Sequence, residues 1–249
     1  MSELRTSRQS DVPDLRRLWQ AAFGDSDAYL DIFFSTAYAP ERALVLHRED
    51  ELLGGAYWLD CALDGKKMAY IYAVAIDPAV QNLGYGTRLM EGLHDHLARE
   101  GYAAALLVPG SDPLRHYYRR FGYRTLSWHD EFTAQPGVPV PITRIDGAHY
   151  AQLRRQFLPP NSVLQESENL ALLSALAFFY QGEDFIAAVS EETCLELLGN
   201  TACASGITAS LDLNRCRFRT PGSGRPFAMG KSLTAEELPD AFYFGFGFD

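Results

Sequence analysis

The stretch Gln81-Asn82-Leu83-Gly84-Tyr85-Gly86 lies between an apolar run and an amphipathic segment. A strand that turns through glycines into a helix leaves several backbone N–H groups without carbonyl partners. They point into the turn, with the positive end of the helix dipole behind them. Glycine lets such a backbone approach a phosphate with no Cβ in the way. The residues therefore offer either a cradle for a phosphate-bearing ligand or a tight turn whose glycines serve geometry alone. Two other phosphate loops are excluded. A dinucleotide fingerprint needs a third glycine where Leu89 stands, which removes a nicotinamide-dependent oxidoreductase. The triplet Gly230-Lys231-Ser232 has Arg225 where a phosphate loop requires glycine, and Pro239 follows where a helix should run.

Other chemistries are poorly served. His94 and His96 stand two apart on a predicted helix, so they face different sides and cannot share an ion; no metal site is expected. The four cysteines, Cys61, Cys194, Cys203 and Cys216, show no CxxC spacing and read as reduced thiols of a cytoplasmic protein. A formal net charge of −10 argues against nucleic-acid and anionic-membrane partners and permits a cationic one. No run reaches the length of a membrane span, and the opening MSELRTSRQSDVPDL has no apolar segment of a secretory signal. A homodimer is compatible with the chain, though no sequence feature specifies one.

The elements that must position the loop follow from periodicity. Ser10, Asp11 and Pro13 open a helix in which Leu15, Leu18, Trp19, Ala22 and Phe23 recur at helical spacing, and 26–38 predicts a second helix. Residues 43–50, 51–64 and 65–77 read as successive antiparallel strands. After the glycine loop come an amphipathic helix over 87–101 ended by Gly101, a buried strand over 102–110, a helix over 112–122 and an extended segment over 123–134. The class is α+β, a mixed and mostly antiparallel sheet flanked by helices. Near AQPGVPVP, within 127–141, the pattern restarts, which divides the chain into 1–130 and 131–249. The second part predicts helices over 146–158, 167–180 and 201–213, with strands over 184–192, 193–199, 215–222, 225–233 and 241–249. Its order repeats that of the first.

The longer stretch VAIDPAVQNLGYGTRLMEGL and the downstream Tyr118-x-x-x-Gly122-Tyr123 stand one helix and one strand apart. Together they resemble the two signatures of the GNAT N-acetyltransferase superfamily, Arg/Gln-x-x-Gly-x-Gly/Ala and Tyr-x-x-x-Gly-Phe, over about residues 3 to 126. The resemblance implies a GNAT fold and acetyl-CoA as co-substrate, with no metal. It places the pantetheine arm along Val74, Ala75 and Ile76 as an added strand would lie. It places the pyrophosphate on the amides of Asn82, Leu83, Gly84, Tyr85, Gly86 and Thr87, with Gln81 shaping the turn. Ser111 falls where many members carry a cofactor-contacting asparagine.

Acetyl transfer to an amine needs a free nucleophile, stabilisation of an oxyanion and a proton for the departing thiolate. By resemblance Tyr118 supplies that proton, and an amide at the end of the Val74–Ile76 strand meets the oxyanion. Many members carry a glutamate base on that strand, but AYIYAVAI holds no acid; Asp60 on the neighbouring strand or a water chain are the candidates. The second part enters its helix from CLELLG with no Gln-x-x-Gly-x-Gly. An active lobe followed by a degenerate, smaller GNAT-like lobe is similar to the enhanced-intracellular-survival type of acetyltransferase and its bacterial relatives. That type acylates amines and uses a terminal carboxylate as base, here Asp249. The reading is an acetyl-CoA-dependent N-acetyltransferase acting on an amine of a small molecule or peptide. Its alternative is a non-catalytic acyl-CoA sensor. The acceptor would be selected by the helix over 26–38 and by the second lobe.

Overall fold

The computed structural model describes residues 2–49 and 51–247. The chain forms two compact units. The first runs to Arg124 and takes in Met229–Leu238; the second holds Thr125–Ala228 and the stretch from Pro239.

In the first unit the strands β1 (Ser2–Thr6), β2 (Ala43–Arg48), β3 (Glu51–Leu63), β4 (Lys66–Ile76) and β5 (Ala104–Leu107) stand side by side in that order. Neighbours are antiparallel up to β4, whereas β4 and β5 are parallel. Four helices complete the unit: α1 (Val12–Phe23), α2 (Asp27–Thr36), α3 (Tyr85–Arg99) and α4 (Asp112–Arg119). β3 is buried along nearly its whole length because both its faces are covered. Its alternation sends Gly55 and Tyr57 toward α1, and Gly54 and Trp58 toward α3. From α3, Leu89, Met90, Leu93 and Leu97 are completely buried, each contributing about 2 kcal/mol of transfer free energy.

The second unit holds a sheet in the order Arg225–Pro226, Trp128–Ala134, Cys216–Pro221, Thr193–Gly199, Phe185–Ser190, Phe178–Gln181 and Thr143–Ile145. Helices α5 (Gly147–Phe157) and α6 (Glu168–Leu176) pack on one face through Tyr150 and Leu173. Helix α7 (Ala204–Ser210) packs on the other through Ala204 and Ile207. The layout is that of the first unit: a strand, two helices, three antiparallel strands, a helix, then a strand parallel to the last of the three.

Several expectations change. The division precedes 130/131, because Trp128–Ala134 already pairs with Cys216–Pro221. The segment over 225–233 is not one strand: Arg225–Pro226 pairs with Trp128–Ala134, while Met229–Ser232 crosses back to pair with β5. The helix over 167–180 ends at Leu176, and Phe178–Gln181 is a strand. An unbroken apolar run carries no change of period to mark that boundary, and the aromatic Phe178-Phe179-Tyr180 favours the sheet. Residues 241–247 form no strand; Tyr243 makes an isolated bridge to Ser162. The edge strands β1 and Thr143–Ile145 were not expected at all. Among the described residues no helix is long and apolar enough to cross a membrane.

The second unit is tied together by a buried ion pair. Arg154 donates from Nε and Nη2 to Glu196 at 2.7 and 2.9 Å, and the hydroxyls of Tyr150 and Tyr243 donate to the same carboxylate at 2.8 and 2.9 Å. The Arg154 guanidinium also lies 4.3 Å from the centre of the Phe246 ring. Every oxygen of Glu196 is thereby saturated by donors, which is what makes a buried carboxylate tolerable.

Candidate active site

β4 and β5 pair only from Met68 opposite Ala104 to Ile71 opposite Leu107, then part. The cause is a bulge. The register between β3 and β4 shifts after Ala56, leaving Ala73 as the extra residue, with a φ of +50° that non-glycine residues rarely adopt. Beyond it the Asp77 N–H bonds the Leu53 carbonyl at 2.9 Å. By antiparallel alternation the backbone of Ala75 then also faces β3, while Val74 and Ile76 turn their N–H and C=O groups toward the gap. Of the three expected strand residues, Val74 and Ile76 therefore turn their edge toward the gap, the Ile76 carbonyl already accepting from Gln81, and Ala75 does not.

The gap leads to the glycine loop. Asp77 accepts from the Ala79 N–H at 2.8 Å, and the Gln81 carboxamide donates to the Ile76 carbonyl at 3.3 Å, so Gln81 fixes the turn against the strand end. Asn82 and Gly84 both have positive φ, +63° and +86°, and reverse the chain into α3. The first helical bond runs from the Arg88 N–H to the Gly84 carbonyl at 3.1 Å, which leaves the amides of Tyr85, Gly86 and Thr87 ahead of the ladder. No side chain caps this end, and the first turn carries no acid. A Cβ at Gly84 would project into open space. These features suit a diphosphate, and the residues that would hold it are those of the Asn82–Thr87 loop. Gly84→Ala adds no clash but strains the backbone by about 1 kcal/mol. Because the added methyl projects into the open space of the loop, we expect roughly tenfold weaker binding of coenzyme A by calorimetry, with the melting temperature lowered by only about 2–4 °C.

The matching helix of the second unit differs. The short turn Thr201–Cys203 runs straight into α7, whereas Gln81–Gly84 separate the corresponding turn Pro78–Val80 from α3. Where the strands before and after it part, Thr220 donates to the Leu197 carbonyl at 3.0 Å. Among the described residues this end therefore has no counterpart of the Gln81–Gly84 loop.

In α4, Tyr117, Tyr118 and the following Phe121 pack on the same buried cluster as Val74, Ile76 and Tyr85. Tyr117 brings its hydroxyl within 3.0 Å of where a Gly86 Cβ would sit. Tyr118 packs edge-on against Tyr123, ring centres 5.8 Å apart, and among the described residues its hydroxyl has no hydrogen-bond partner. Burial pushes its phenol up to about 12. Tyr123 is itself held by His94, whose Nε2 lies 2.9 Å from the Tyr123 hydroxyl. Burial and then Lys231, 3.3 Å from Nδ1, bring His94 down to about 4. Ser111 is the exposed residue before α4, and its hydroxyl makes no capping bond.

Asp60 is ruled out as a base by its place. It faces Ala69, five residues before Val74, or about 15 Å along the strand, and it accepts from the Tyr102 hydroxyl. Asp249 lies outside the described residues. Sequence reasoning missed the Ala73 bulge, since AYIYAVAI is apolar throughout and shows no break of period.

Both the sheet that forks beside a glycine-entered helix and the sequence that builds it belong to one class, the GNAT acetyltransferases. Residues 3–126 match the family model described as an acetyltransferase (GNAT) domain, and through that domain the chain is a member of the family. No protein of curated function matches it by sequence. In fold it is similar to a GCN5-related N-acetyltransferase from Anabaena variabilis, with a TM-score of 0.73 at 13% identity over 94% of this chain and 73% of that one. It is likewise similar to one from Kribbella flavida, with a TM-score of 0.69 at 16% identity over 93% and 71%. Eis1 from Mycobacterium abscessus gives 0.68 at 15% identity over 93% and 74%.

Proposed function

We propose that the chain is an acetyl-CoA-dependent N-acetyltransferase that acetylates a primary amine of a small molecule or peptide by direct attack. The observation that carries this reading is the open fork between β4 and β5, with an uncapped glycine loop at its end and Tyr118 beside it. The Asn82–Thr87 amides hold the pyrophosphate, and the gap-facing backbone of Val74 with the N–H of Ile76 holds the pantetheine arm. The Val74 N–H stabilises the oxyanion that develops as the amine nitrogen bonds to the thioester carbon. As the C–S bond breaks, Tyr118 gives its proton to the thiolate, and the proton lost by the amine passes to solvent water. A cytoplasmic setting accords with this chemistry.

The second unit is on this reading a degenerate copy. Its element order supports the kinship, and the direct step from Cys203 into α7 at Ala204 and the Thr220 bridge support the loss of the cofactor loop. One observation favours the sensor alternative: β4, Lys66–Ile76, carries no acid to serve as base. A thiol-release assay with acetyl-CoA over a broad amine panel, run beside calorimetry, separates the two. Binding with turnover is the expected result. Tight binding with no turnover on any amine favours the sensor, and absence of binding overturns both.

A further inference from the structure

The corner between α1 and α2 holds a carboxylate with no cation. Its neighbours are paired: Asp31 lies 2.7 Å and Asp27 3.7 Å from Arg16, and Asp14 lies 2.8 Å from Arg17. Asp25 instead accepts from the Trp19 indole N–H at 2.7 Å. Among the described residues no lysine, arginine or histidine reaches it. A neutral indole fixes the carboxylate without compensating its charge.

The indole that holds it stands among aromatic rings. Trp19 contacts Phe23, Tyr29 and Tyr72 with centroid separations of 5.7, 6.5 and 5.8 Å, and Phe23 is 46% exposed. Tyr29 and Tyr72 are joined through their hydroxyls and remain partly open to solvent. Asp25 is near enough to Tyr72 to help raise its phenol, after the larger effects of burial and Tyr29. Tyr72 is also the first residue of β4 beyond the last pair with β5, so it stands where the fork opens. Its ring points to the α1–α2 face, while Tyr118 packs on the α3 face.

The geometry points to Asp25, with Phe23, Tyr29 and Tyr72, as the site that recognises the acceptor, a primary ammonium carried on an aromatic or flat apolar body. The inference rests on the acetyltransferase reading and names the substrate class of that site. With the acid on one face of the fork, the opposite face is left for the nucleophile. A carboxylate held only by a neutral donor attracts a cation, and ring faces add cation–π attraction and apolar contact. Asp25 captures the ammonium form, which then loses its proton to water before the free amine attacks, so Asp25 acts in recognition and not as the base.

The test compares wild type with Asp25→Asn, which keeps an acceptor oxygen for Trp19 and removes only the charge. Turnover of 2-phenylethylamine and tryptamine is measured against spermidine and kanamycin, with acetyl-CoA binding followed by calorimetry. We expect the aromatic amines to have the lower KM, Asp25→Asn to raise that KM at least tenfold with kcat within about threefold, and acetyl-CoA binding and melting temperature to stay unchanged. Saturation-transfer NMR should detect 2-phenylethylamine on wild type and not on the variant, whether or not turnover occurs. Unchanged KM in Asp25→Asn, preference for spermidine or kanamycin, or no NMR binding to wild type overturns the inference. Failure of wild type to bind acetyl-CoA is a separate result that overturns the enzymatic reading.

Discussion

Tyr118→Phe should lower kcat for amine acetylation by about 10²- to 10³-fold and leave the Kd for acetyl-CoA unchanged. The substitution removes one hydroxyl that has no partner among the described residues, so neither packing against Tyr123 nor any hydrogen bond is lost. A proton donor needed only as the thiolate departs contributes to the transition state and not to binding, which is why the loss falls on kcat. The sign of the pH dependence follows from burial. Desolvation disfavours the phenolate and raises the group to about 12, so it still carries its proton at about pH 10, where an ordinary tyrosine is half ionised. The wild-type profile should therefore show no descending limb from this group up to about pH 10. Tyr117→Phe is the matched control, with kcat expected to change less than threefold. Equal kcat for wild type and Tyr118→Phe would remove Tyr118 from the chemistry.

The largest effect on stability should come from Arg154→Met. Glu196 is completely buried, and the substitution leaves its carboxylate with only two tyrosine hydroxyls as donors. Breaking such a pair by deleting one partner costs about 3–5 kcal/mol, which for a chain of this size lowers the melting temperature by roughly 10 °C. Replacing both partners, Arg154→Met with Glu196→Leu, should recover most of that loss, because the desolvation of two charges disappears with them. Urea denaturation of the three proteins distinguishes these outcomes. A single variant as stable as wild type would mean that solvent reaches Glu196 and compensates its charge.

Legibility in the sequence followed the range of the physics involved. The glycine loop could be recognised because its causes are local: positive φ at Gly84, the onset of helical periodicity, and apolar residues of α3 returning every three or four positions. Tyr118 could be named only through the resemblance of Tyr118-x-x-x-Gly122 to the second GNAT signature, a motif that is itself local in sequence. The break in the helix over 167–180 was hidden by an uninterrupted apolar run, and the return of Met229–Ser232 to β5 was hidden by distance along the chain. The strands at the sheet edges, Ser2–Thr6 and Thr143–Ile145, are short and contain no buried residue, so they show little alternation.

By itself, then, the sequence determined the class of fold and the place of the glycine turn, which depend on residues within a turn or two of one another, while its resemblance to a family singled out the tyrosine proposed as acid. Only the tertiary structure decided where β4 leaves β5, that Asp60 stands at the far end of its strand, and that Asp25 faces an indole rather than a cation. Those depend on which distant segment wins a given hydrogen-bonding edge or charge. That competition is settled by the packing of the whole unit and leaves no mark in neighbouring residues.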